Sequence, residues 1–168
     1  MTGSVETLNT VLWSIPNVLC LIGSAAGDER NGMTASWVTQ VSMAPVLVGV
    51  SIDASSVTHR LMTTSGVFSV NLWNREDTRV FVKFSKPAEQ GEGMLNGRPV
   101  HRGVTGAPIF DEAIAYLDCR VHTVVALGSH SLFIGDVADC GFHEGGESAP
   151  VARMEDTRMK YGGVLRGH

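Results

Sequence analysis

The amino-acid sequence predicts a mainly β protein, a closed antiparallel barrel with short helices at its edges. Three observations carry that expectation. Six segments have strand-like composition, at residues 18–25, 34–41, 46–52, 67–72, 113–127 and 131–139. Short polar or glycine-bearing turns join several of them, most clearly 27–32 and 128–130, as in hairpins rather than in strands alternating with long helices. Nineteen of the 168 residues are glycine and only 7% are aromatic, a balance that favours turns and strands.

The elements follow in order. Leu8, Val11 and Leu12 give 6–14 one apolar face, a short amphipathic helix that Pro16 follows. The apolar run 18–25 is the first strand, and 27–32 is its hairpin connection. Trp37, Val38, Thr39 and Val41 favour an extended chain over 34–41, which Pro45 breaks. Residues 46–52 are so nearly all apolar that burial on both faces is expected. A hydroxyl residue caps a helix over 56–64, which turns Leu61 and Met62 inward and ends at Gly66. Residues 67–72 alternate as a strand, and Val80, Phe81 and Phe84 give 77–84 a helical spacing. Glycine and polar residues mark 87–106 as a mobile loop. Two long strands follow around Gly128-Ser129-His130, then a polar tail, 144–168, with one anchor at Tyr161. No repeat or boundary divides the chain, so 1–168 is expected to be a single domain.

Composition excludes several classes. The net charge is -4 with no basic run, which argues against nucleic acid as a partner. Cys20, Cys119 and Cys140 are odd in number and widely spaced, which suits reduced thiols rather than a disulfide framework or a zinc knuckle. His101, His122, His143 and His168 show no metal-ligand spacing, and no metal is expected. No Gly-x-Ser-x-Gly motif marks a hydrolase. Residues 11–26 are apolar and end in small residues, but Pro16-Asn17 interrupts them and no basic region precedes them, so a cytoplasmic protein without an export signal is expected. No apolar stretch is long enough to span a bilayer.

At Asn31-Gly32-Met33-Thr34-Ala35-Ser36-Trp37-Val38-Thr39-Gln40-Val41-Ser42 the sequence resembles the flavin-reductase-like family, which carries a Gly-Met-Thr-Ala signature on an early strand. The resemblance continues in order through Ser51-Ile52-Asp53-Ala54-Ser55-Ser56, Ser65-Gly66-Val67-Phe68-Ser69-Val70-Asn71-Leu72 and Gly128-Ser129-His130-Ser131-Leu132-Phe133-Ile134-Gly135-Asp136-Val137, and so covers nearly the whole chain. It implies a six-stranded antiparallel split barrel that binds FMN, with FAD as the alternative. It also implies a homodimer that passes a hydride from NADH or NADPH to the flavin, which supplies a separate monooxygenase or another acceptor. A non-catalytic flavin- or haem-binding protein, or a flavodoxin-like electron-transfer module fed by a protein partner, are the alternatives on the same barrel.

The resemblance also places the site. Met33, Thr34, Ala35 and Ser36 would line the flavin ring, since small residues let backbone amides approach its polar edge. Ser51, Ile52, Asp53, Ser55, Ser56, Thr58 and His59 would hold the ribityl-phosphate side, because hydroxyls and amides at a helix N-terminus suit an anion; plain N-capping is the other reading. Asp53 would repel a phosphate and is expected to turn toward the ribityl hydroxyls. Phe84 would lie near the flavin, and Lys83 and Lys86 would either attract phosphates or line a solvated face. His130 is the catalytic candidate, placed by the family near the nicotinamide; Ser129 stands where relatives have aspartate. Since hydride transfer needs no base, His130 would orient the substrate, unless it is a solvent-facing turn histidine. Its link lies between the two long C-terminal strands, so the nicotinamide and flavin sites are expected to be built from different parts of the chain. Trp13, Trp37 and Trp73 are assigned to core or interface.

Overall fold

Side-chain alternation along the strands divides the interior into two cores. On β1 (Cys20–Ala26), Cys20 and Ile22 face one core and Leu21 the other, as the two-residue period of an extended chain requires. The computed structural model describes residues 3–159 and Gly163; Tyr161 and His168 lie outside the described residues. The other strands are β2 (Glu29–Ala35), β3 (Val38–Met43), β4 (Val46–Asp53), β5 (Val67–Leu72), β6 (Gln90–Gly91), β7 (Met94–Leu95), β8 (Arg98–Arg102), β9 (Pro108–Phe110), β10 (Ala115–Leu127) and β11 (His130–Phe142). The helices are α1 (Val5–Trp13), α2 (Val57–Ser65) and α3 (Arg79–Lys83), with short 3-10 turns such as Arg75–Asp77 between elements.

Seven strands form one antiparallel sheet in the order β2-β1-β5-β10-β11-β4-β3. β2 and β3 occupy its opposite ends, yet only Ser36 and Trp37 separate them in sequence. Laid flat, seven strands at about 4.8 Å apiece would hold the outer two about 29 Å apart. Three chain steps, Ala35 to Val38, reach at most about 11 Å. The sheet therefore curls until its two ends meet, and the barrel closes at a seam marked by Ser36-Trp37. Inside lie Cys20, Ile22, Val48, Val50, Ile52, Phe68, Val70 and Phe133, with Met62 from α2. α2 is positioned by its own ends: the Ser56 hydroxyl accepts from the His59 amide, and Gly66 takes the left-handed conformation (φ 70°) that stops the helix.

The second core lies outside the barrel, where Leu21, Trp73, Phe81, Phe84, Leu95, Val100 and Phe110 meet. Its docking points are the small and polar residues of otherwise apolar strands. Gly23 lies so close to the Pro108 carbonyl that a Cβ would collide with it. The Ser69 hydroxyl donates to that carbonyl at 2.5 Å. Asn71 donates to the Leu21 carbonyl (3.1 Å) and accepts from the Phe110 amide (3.0 Å). These bonds lay β9 across β1 and β5.

Several expectations are corrected here. The segment 34–41 is two strands broken at Ser36-Trp37, and β2 begins at Glu29, so the sheet has seven strands rather than six. The first hairpin is correspondingly tighter, with Gly27 (φ 59°) and Asp28 between β1 and β2. Residues 87–106 do not form a bare loop: they carry β6, β7 and β8, which with β9 make a four-stranded sheet. Leu95 and Val100 tie it to the outer core. β4 is buried at Val48, Val50 and Ile52, but Val46 at its start is exposed. Among the described residues no helix is long and apolar enough to cross a membrane.

Candidate functional site

The end of β4, the start of β11, the seam and the first turn of α2 converge on one patch. Strand pairing sets Asp53 opposite His130 and Ile52 opposite Ser131. The Ser51 amide donates to the Trp37 carbonyl at 3.0 Å, which fastens the seam to β4. The Trp37 and His130 rings lie 5.0 Å apart at 54°. Trp37 keeps 38% of its surface exposed. His59, in the first turn of α2, meets the Ser131 hydroxyl through Nε2 at 2.9 Å and packs edge-on to Phe133. His130 Nδ1 lies 3.0 Å from the Ser129 hydroxyl, which leaves Nε2 as the nitrogen available to a ligand.

The turn into α2 is closed by its own hydrogen bonds. Asp53 Oδ1 accepts from the Ser55 amide (2.8 Å) and hydroxyl (2.6 Å). The Asp53 carbonyl accepts from the Ser56 amide (3.1 Å) and hydroxyl (2.8 Å). The Ala54 amide donates to the Ser129 carbonyl at 2.9 Å and so ties the turn to the β10–β11 hairpin. The Ser55 hydroxyl and amide, helped by charge on His130 and His59, hold the Asp53 carboxyl below the usual carboxylate range against slight burial.

Ser51, Asp53, Ser55, Ser56, His59 and His130 are thus brought together. His130, which comes from a different part of the chain than the expected flavin segments, is the direct cross-strand partner of Asp53. Other predicted residues have side chains committed elsewhere. Thr58 is fully buried and accepts from Asn31 Nδ2 at 2.9 Å, and Ile52 belongs to the barrel core. Phe84 is fully buried in the outer core, edge-on to Phe110, so it supports β2 rather than facing a ligand. The Thr34 hydroxyl donates to the Phe81 carbonyl at 2.7 Å and its amide to the Phe84 carbonyl at 2.9 Å. Ala35 and Met33 pack with the barrel core, and Ser36 is buried beside the seam. Contact from 33–36 to a flat ligand would therefore come from the backbone.

Two residues of the patch are not among the sequence-predicted site residues: Trp37, which the sequence assigns to core or interface, and Ser131. Trp37 has a signal in retrospect, a large aromatic in a two-residue break between strands; Ser131 has none. The thiols take no part: burial pushes Cys20 and Cys119 up to about 12, far from thiolate at neutral pH. Among the described residues no group of three or more His, Cys, Asp or Glu could hold a metal ion.

An open indole and imidazole pair beside a strand end rich in hydroxyls suits a flat heteroaromatic ring with a polyol tail. Barrel and patch together suit a flavin-dependent oxidoreductase. The chain matches the flavin reductase like domain over residues 12–162 and belongs to that family. The reductase subunit of stachydrine N-demethylase from Rhizobium meliloti is 27% identical over 169 residues, which cover 95% of this chain and 72% of that protein. An NADH-dependent FAD reductase from Streptomyces globisporus is 29% identical over 134 residues, 77% of this chain and 72% of that one. The crystal structure of an FMN-binding protein from Thermus thermophilus superposes with a TM-score of 0.69 at 27% identity, covering 86% of this chain and 77% of that one.

Proposed function

We propose that the chain is an NAD(P)H:flavin oxidoreductase that takes a hydride from NADH or NADPH onto a flavin, FMN first and FAD as the alternative. The observation that carries this reading is the pairing of His130 with Asp53 beside Trp37, which joins a ring-binding surface and a hydrogen-bonding imidazole in one place. A bound flavin supplies the two-electron acceptor, a chemistry no side chain of the patch offers. The chain's own residues bind and orient. The Trp37 indole packs against a ring face. Ser51 and the Ser55 hydroxyl lie where a polyol chain would pass, and His130 Nε2 meets the amide of the nicotinamide. The similarity to an NADH-dependent FAD reductase and to a demethylase reductase subunit supports reduced nicotinamide as donor and a separate monooxygenase as one acceptor. A cytoplasmic location fits this supply of reduced nicotinamide and three free cysteines.

The same reading takes the chain as a homodimer. Val41, Met43 and Val46 on the β3–β4 hairpin are exposed, Met43 at 85%, and so are Val124, Val125 and Leu127 at the end of β10. Apolar surface of this kind marks association, and two-fold dimers are the commonest assembly. Light scattering that gave a monomer at micromolar concentration would remove the dimer. For the activity, the protein loaded with FMN is mixed with NADH in a stopped-flow instrument. Rapid bleaching of the visible flavin band is the expected result; a flavin that binds but is not reduced would make the protein a carrier instead.

A further inference from the structure

The turn that leads into α2 already holds an anion of the chain's own. We propose that Asp53 makes this enzyme select the ring and ribityl parts of a flavin and not its phosphate, so that riboflavin binds about as well as FMN. The proposal rests on the flavin reading above.

The donors of the turn are the argument. Asp53 Oδ1 takes the amide and hydroxyl of Ser55, and its carbonyl takes those of Ser56. The Ala54 amide is held by Ser129 and the His59 amide by the Ser56 hydroxyl. Of the turn's described donors, the amides of Val57 and Thr58 are what remains for an incoming phosphate. The one arginine or lysine between residues 51 and 65, Arg60, is paired with Glu29 at 2.6 Å. His59 Nε2 is engaged by Ser131 and His130 Nδ1 by Ser129, and the free His130 Nε2 is the atom assigned above to the nicotinamide amide. A phosphate dianion about 5 Å from a solvated carboxylate loses on the order of tenfold in affinity by Coulomb's law in water.

The test is binding, not turnover. The purified chain, freed of flavin, is titrated at low ionic strength with riboflavin and with FMN, followed by flavin fluorescence. Asp53→Asn is titrated in parallel; asparagine keeps an Oδ1 acceptor for Ser55 and loses the charge. The expected result is wild-type affinities for the two flavins within about threefold. In Asp53→Asn, FMN should gain about tenfold relative to riboflavin, and the gain should shrink as salt screens the charge. A wild-type chain that prefers FMN over riboflavin by about fiftyfold or more overturns the proposal, and so does an Asp53→Asn variant whose FMN affinity does not rise. If neither flavin binds the wild type, the flavin reading itself is wrong, and the selectivity falls with it.

Discussion

Replacing His130 with alanine separates a shared site from two separate ones. The imidazole meets the Ser129 hydroxyl at 3.0 Å on Nδ1 and the Trp37 ring at 5.0 Å. In the proposed function its Nε2 offers a hydrogen bond to the nicotinamide. Losing that bond costs about 0.5–1.5 kcal/mol, which is about two- to twelvefold in kcat/KM for NADH. The variant also leaves the Trp37 indole without its neighbour. Aromatic pairs contribute about 0.5–1.5 kcal/mol, and a loosened indole passes part of that to whatever ring it holds, so flavin affinity should fall by about two- to fivefold. Stopped-flow reduction over a range of NADH concentrations measures the first effect, and a fluorescence titration with flavin measures the second. Circular dichroism checks that the barrel is intact. Were both quantities to stay within about twofold of wild type, the patch around Asp53 and His130 would not be the reaction site. A loss confined to NADH kinetics would show that Trp37 does not contact the flavin.

Asn71→Ala should lower stability by about 2–4 kcal/mol in urea unfolding, because it strands the buried Phe110 amide and Leu21 carbonyl; a loss below about 1 kcal/mol would mean that β9 is held by other contacts. A thiol reagent at pH 8 should react rapidly with one cysteine, Cys140, and with all three after denaturation, since Cys20 and Cys119 are buried and their thiols pushed up to about 12; rapid modification of more than one in the native protein would contradict the packing. The depressed Asp53 carboxyl stabilises the fold in its ionised form. The stability difference between wild type and Asp53→Asn should therefore be fully present above the unfolded value of about 3.9 and disappear as pH falls through the lower folded value; a difference that grew on acidification would reverse the assignment.

Much of the barrel was legible because its cues are local. Val67–Leu72 alternates by twos, Ser56 and Gly66 bracket α2, and Gly128 turns the long hairpin. The break at Ser36-Trp37 was not, because neither residue is a glycine or proline and both neighbours suit a strand. The small sheet escaped for a different reason. β6 and β7 have two residues each, too short for any periodicity, and they persist through packing of Leu95 and hydrogen bonds such as the Arg30 amide to Gln90. The site was legible as residue types and illegible as a place. Nothing near His130 in the chain announces that a strand about 80 residues earlier will set Asp53 beside it; register is a property of the sheet.

The seam at Ser36-Trp37 also gives the molecule a natural reporter. Trp37 presents its ring to the patch while its carbonyl holds the Ser51 amide. Any parting of the Trp37 segment from β4 must release that amide to water. The deuterium uptake of the Ser51 amide therefore follows the opening of the seam. A ligand lodged against the indole would slow that uptake without touching the amide itself.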